Sequence, residues 1–178
     1  MDSLQEKTAL GTDNKPKMNK NGDPKKIWVS CPPEIGKNQK TNNAILKTWH
    51  PELTQLDDLI SLEKEKHERN SGRAPLYVAY QKSVRIDGSE VLARTFEDAL
   101  ILENLENEYI KNKANLEDRE EQDLARHLYD FVRNLNKGDF AFDCLFYLSR
   151  SESHTLTPPE YIKDGLSWLN EKLTPKSQ

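Results

Sequence analysis

The sequence predicts an α/β fold whose later part is helical. Three observations carry that expectation. Ile27-Trp28-Val29-Ser30-Cys31 is a β-branched and aromatic run halted by Pro32-Pro33, as a strand is when the next residues cannot donate to a ladder. From Thr95 onward apolar residues recur at three- and four-residue steps, the period of helices buried on one face. Strands therefore come first and then give way to helices. The strands are few for a free-standing α/β domain, which points to the later part of a larger sheet domain.

With 178 residues the chain is long enough for one domain with a single core. It is polar, with 35% hydrophobic and 31% charged residues, so part of it is expected to be surface, linker or disordered. A net charge of −4 argues against a freestanding nucleic-acid binder that works through bulk positive charge. A nuclease that reaches DNA through metal ions or another domain is still allowed. Cys31 and Cys144 are too few and too far apart for a metal motif or a disulfide framework. With no signal peptide and no apolar run near 18 residues, the chain reads as cytoplasmic, with no membrane partner.

Met1 to Lys26 holds little that is apolar and is expected to be a disordered arm or loop; residues 27–178 form the second unit. After the Ile27–Cys31 strand, Thr41 or Asn42 caps a short helix carrying Ala44, Ile45, Leu46 and Trp49, ended by His50-Pro51. Thr54 opens a second helix with Leu56, Leu59 and Ile60 inward, and its Glu63–Arg69 tail is a solvated mixed-charge run. Leu76 to Gln81 reads as a strand buried on both faces. Val84–Ile86 and Val91–Ala93 flank Asp87-Gly88, a favoured two-residue hairpin turn.

The helix from Thr95 is expected to turn Phe96, Ala99, Leu100 and Leu102 inward. A long helix with Leu124, Leu128, Phe131, Val132 and Leu135 follows. The next starts at Gly138 or Asp139 and carries Phe140, Ala141, Cys144, Leu145 and Leu148. Pro158-Pro159 opens the last, where proline costs least, with Ile162, Leu166, Trp168 and Leu169 on its apolar face.

Two turns carry candidate chemistry. Thr95 and Asp98 have capping-box spacing, which puts Glu97 in the first helical turn, where the helix dipole favours an ionised carboxylate. Such a carboxylate suits a divalent-metal ligand, although a capped amphipathic helix needs no further role. Lys137 stands in the Asn136-Lys137-Gly138-Asp139 turn between two helices, and the helix that follows offers N–H groups to an anion. The alternative is a lysine at the end of its own helix, satisfying the dipole there. His50, His67, His127 and His154 stand singly, at no ligand spacing. Trp28, Trp49 and Trp168 read as core anchors. Lys37, Lys40 and Lys47 read as a solvated face, with phosphate contact as the alternative.

A resemblance follows from segments that occur in order: Cys31-Pro32-Pro33-Glu34-Ile35-Gly36, Thr41 to Pro51, Ala79-Tyr80-Gln81, Arg94 to Ala99, Lys137-Gly138-Asp139-Phe140-Ala141 and Pro159 to Leu169. Together they resemble the C-terminal Toprim region of overcoming-lysogenization-defect (OLD) family ATP-dependent endonucleases. The resemblance implies a partial Toprim-like, Rossmann-like sheet and metal-dependent DNA phosphodiester cleavage with magnesium or manganese. It implies Glu97 as a metal ligand and Lys137 as the lysine facing the scissile phosphate. Two metals can activate water and neutralise the leaving oxygen, and a lysine can offset charge on the phosphoryl oxygens.

The chain departs from that pattern. The early glutamate with its strand and the intact Asp-x-Asp pair are absent; Asp2, in Met1-Asp2-Ser3, resembles the second aspartate of such a pair. No Gly-rich phosphate-binding loop is present. The expectation is therefore a C-terminal piece of such a nuclease, from a truncated or split gene, that needs an ATPase-bearing partner chain to complete its site and reaches DNA through that complex, with an oligomer allowed. The competing readings are a non-catalytic interaction module derived from the same fold and an unrelated small helical adaptor.

Overall fold

A computed structural model describes residues 3–70, 72, 74–86, 88–116 and 124–174. The fold is mixed α/β, with small antiparallel sheets first and helices after them. In the first sheet β1 (Ser3–Thr8) lies between β2 (Lys26–Cys31) and β3 (Lys40–Thr41). Residues 3–8 were expected inside a disordered arm, yet they form the central strand. Their ladder with β2, running from Ser3 opposite Cys31 to Thr8 opposite Lys26, is backbone pairing that needs no apolar pattern. Ser3 is buried and donates its hydroxyl to the Cys31 carbonyl at 2.7 Å.

Asn43 caps α1 (Ala44–Trp49), its side-chain oxygen accepting from the Ile45 and Leu46 amides. α2 (Leu56–Ile60) follows, and Leu46, Leu56, Leu59, Tyr80 and Leu92 form one buried cluster. The tail of α2 does not run on as a solvated helix. Residues 64–67 make a tight turn into β4 (Glu68–Asn70), which pairs with β5 (Pro75–Tyr77). The reason is His67: its ring is buried, stacks on Tyr80 at 4.6 Å and bonds the Val78 carbonyl, which pins the chain there. The expected strand thus stops at Tyr77. β6 (Ser83–Ile86) and β7 (Ser89–Leu92) form the expected hairpin, with Gly88 at φ +88° in its turn; Asp87 lies outside the described residues.

The larger core belongs to the helices. α3 (Phe96–Leu102) buries Ala99, Leu100, Ile101 and Leu102, whereas Phe96, expected inward, is exposed because the first turn projects past the cluster. α4 (Glu108–Ala114) lies in the stretch read only as charge-rich, and seats Ile110 and Ala114 one turn apart in the same core. α5 (Leu124–Asn134) adds Leu124, Leu128 and Val132. α6 (Lys137–Ser149) adds Phe140 and Cys144 but leaves Leu145 exposed. α7 (Glu160–Leu173) has no fully buried residue; Leu166 and Leu169, expected on a covered face, are exposed.

Polar ties hold α7 instead. Trp168 Nε1 and Lys172 Nζ each lie 2.8 Å from the Glu68 carboxylate on β4, and Lys82 meets Asp164 at 2.7 Å. The segment before α7 is held by Asn104, whose side chain exchanges hydrogen bonds with Thr157 N and O at 2.7 and 2.8 Å. Because Asn104 is buried just beyond the end of α3 and also donates to the Leu100 carbonyl, the last helix is registered against the helix that carries Glu97.

Candidate functional site

Thr95 and Asp98 form the capping box that their spacing predicts. The Thr95 hydroxyl accepts from the Asp98 amide, and Asp98 Oδ2 accepts from the Thr95 and Arg94 amides at 2.8 and 3.1 Å. Asp98 is 2% exposed. Burial pushes its carboxyl above the ordinary range, against the two backbone amides and the Arg94 charge. This closed turn fixes the direction of Glu97, one residue earlier.

Lys137 Nζ lies 2.9 Å from Glu97 Oε2, so the structure brings the two residues together. The Glu97 side chain is 13% exposed and that of Lys137 51%, so the carboxylate is set inward and the ammonium faces water. Burial alone pushes the Glu97 carboxyl up; the Lys137 ammonium, the Thr95 hydroxyl and its own backbone N–H outweigh burial and hold it below the ordinary range. The result is a fixed, ionised carboxylate at a half-open surface.

Lys137 stands at the junction between two helices, as the sequence predicts. It is the first residue of α6, and α5 ends at Asn134, so it does not satisfy the dipole at a helix C-terminus. It stands at the positive end of α6, where an ammonium is disfavoured, and Glu97 offsets that cost. Two of the amides that open α6 are already taken: the Asn136 side chain accepts from Gly138 and Asp139, at 3.1 and 3.3 Å. The available positive charge is that of Lys137 itself.

Tyr161, at the start of α7, was not singled out by the sequence. Its phenol is pushed up by burial and then by the Glu97 charge, and it shares a hydrogen bond with Gln81. At Gly165, one turn further on, an added Cβ would meet the Ala79 side chain at 3.4 Å, so α7 lies close over the segment that follows β5. Lys137 and Tyr161, from two of the segments quoted above, therefore come near Glu97, and Ala79–Gln81 is tied to α7 through Tyr161 and Gly165. Their ordered spacing was the available signal.

Asp2 lies outside the described residues. Among the described residues no group of three or more His, Cys, Asp or Glu side chains is placed to hold a metal ion. A divalent ion takes about six oxygens, so Glu97 and its neighbours do not build such a site by themselves. Three of the four histidines are structural: besides His67, His127 Nε2 bonds the Ala114 carbonyl and His154 Nδ1 that of Tyr147. Cys31 and Cys144 are buried and not joined. No helix among the described residues is long and apolar enough to cross a membrane.

At this site an inward carboxylate holds an outward lysine. The chain is similar to Endonuclease GajA of Bacillus cereus (strain HuB5-5), 32% identical in an alignment of 146 positions that covers 75% of this chain and 20% of that protein. It thus spans about a fifth of the length of the curated relative it matches. No family model matches the chain, and no solved structure matches it.

Proposed function

We propose that the chain is the C-terminal, Toprim-like part of an OLD-family DNA endonuclease, with a phosphodiester-cleaving site completed by an ATPase-bearing partner chain. The observation that carries this reading is the Glu97–Lys137 pair at 2.9 Å, in a chain similar over three quarters of its length to an endonuclease. Lys137 has the exposure to meet a phosphate oxygen, and Glu97 keeps its ammonium at one place instead of letting the flexible side chain sample solvent. When a phosphodiester arrives, the lysine offsets the charge that gathers on the phosphoryl oxygens. The divalent ion that such chemistry uses, magnesium or manganese, would take Glu97 as one ligand and draw the rest from the partner, since the described residues do not close a site.

A second reading has its own observation. On α6, Phe142 is 74% exposed and Leu145 and Phe146 each 63%, an apolar face that also suits a non-catalytic interaction module. Cleavage separates the two. In the complex of this chain with its ATPase-bearing partner, Glu97→Gln abolishes magnesium-dependent plasmid cleavage if the first reading holds. Unchanged cleavage by that variant leaves the interaction module.

A further inference from the structure

Far in sequence from the Glu97–Lys137 pair, the first sheet, α1 and the loop after it line a half-open cavity of about 410 Å³. Trp28, Lys40, Lys47 and His50 line it, with Leu4 and Leu53 among its apolar walls. Trp28 was expected in the core, yet it is 41% exposed, because β2 turns that face of the sheet outward. The Lys40 ammonium sits 4.6 Å from the centre of the Trp28 ring, and Lys47 reaches only the Asn42 side chain, at 3.4 Å. Neither lysine has a carboxylate partner among the described residues, and no carboxylate lines the cavity, although acids outnumber bases in the chain. The nearest acid by strand register is Glu6, opposite Trp28 and outside the lining.

His50 adds an independent pointer. It is 4% exposed, and its Nε2 is buried with no protein hydrogen-bond partner. Its Nδ1 lies 3.5 Å from a Glu52 oxygen, which places the ring proton on Nδ1 and leaves Nε2 as an acceptor. A buried acceptor without a partner is costly, and a ligand that carries an N–H or O–H group relieves it.

We propose that this cavity is a nucleotide subsite that seats one unstacked nucleotide of a single-stranded DNA, with the base on Trp28 and its phosphates on Lys40 and Lys47. An exposed aromatic ring between unpaired cations is how single strands are held without sequence readout. The long lysine stem lets Lys40 leave the ring for a phosphate while the indole takes the base. A duplex offers no free base face to Trp28, so the strand is single. Assignment to a DNA strand rests on the nuclease reading; the nucleotide chemistry of the cavity does not.

The test is fluorescence anisotropy of a fluorescein-labelled twelve-residue oligothymidine on the full chain, titrated across salt, with ATP as competitor. Lys40→Glu/Lys47→Glu is expected to weaken binding at least tenfold and to flatten the salt slope by about 1.4, at about 0.7 per lost single-strand contact. Trp28→Ala is expected to weaken it about tenfold, and Trp28→Phe to restore most of that, since a phenyl ring still stacks. Circular dichroism checks folding, and Lys40→Gln/Lys47→Gln replaces the charge reversal should that variant unfold. Wild-type binding and slope in the folded lysine and Trp28→Ala variants overturn the subsite. Tighter binding of ATP than of the oligonucleotide overturns the strand assignment. Leu166→Ser, on the exposed side of α7, runs through the same titration and is expected to bind normally; the nuclease reading is tested separately by cleavage in the complex, so its failure leaves this result intact.

Discussion

Lys137 Nζ and Glu97 Oε2 meet at 2.9 Å across 40 residues of sequence, joining the first turn of α6 to the first turn of α3. Two helix starts that carry opposite charges are thereby locked to each other. The contact is only as good as the caps on both helices, so its energetics can be tested from either end.

Asp98→Ala removes the acceptor for the Thr95 and Arg94 amides. It is expected to cost about 2 kcal/mol, the upper range for a lost helix cap, because the site is buried. Thermal unfolding of the purified chain measures it. Asp98→Asn keeps one acceptor oxygen and should cost less than the alanine.

Glu97 gives stability a pH dependence of known sign. Its carboxyl is held below the ordinary range in the folded chain, so its contribution is fully present above the unfolded glutamate value, about 4.3, and is lost as pH falls through the lower folded value. Glu97→Gln is therefore expected to unfold at lower temperature than wild type at pH 7, with the gap closing below pH 4.3. Asp98 works in the opposite direction: burial raises its carboxyl, so its ionisation opposes folding as pH rises through that raised value. A gap between wild type and Glu97→Gln that widens on acidification would contradict the assignment.

Ile101 and Leu166 separate the covered face from the uncovered one. Ile101 is 0% exposed in the helical core, and Ile101→Ala is expected to cost about 3 kcal/mol in urea unfolding. Leu166 is 61% exposed, and Leu166→Ser should change stability by less than about 0.5 kcal/mol.

The parts legible in the sequence were those encoded locally. The Thr95–Asp98 box, the turn at Gly88 and the helical stripe of α5 each lie within a few residues, and each is present. β1 was hidden because its partner ladder lies on the backbone and its side chains do not alternate. α4 was hidden because only Ile110 and Ala114 are fully buried, with charged residues among them facing water. Trp28 was misplaced because the exposed face of a short strand is decided by what packs on the sheet. The Glu97–Lys137 contact crosses 40 residues and no local rule predicts it; the helix junction and the family resemblance pointed to it. The approach of Tyr161 to Glu97 depends on how α7 docks, which Asn104 and Glu68 help to set.

The chain alone is expected to show little or no cleavage of plasmid DNA in magnesium or manganese, because Glu97 is the single candidate ligand carboxylate placed by the described residues. Gel analysis after prolonged incubation reads this. Robust cleavage by the isolated chain, abolished by Glu97→Ala, would show that it completes its own site.

The most direct measurement is the turnover rate and DNA dissociation constant of Lys137→Ala in the complex with the ATPase-bearing partner. A lysine that acts on charge developing during phosphoryl transfer contributes more to the transition state than to binding. The expected result is a fall in turnover of about a hundredfold or more with DNA affinity within about twofold of wild type. Equal losses in turnover and affinity would make Lys137 a general electrostatic contact, and no loss in either would contradict the proposed site.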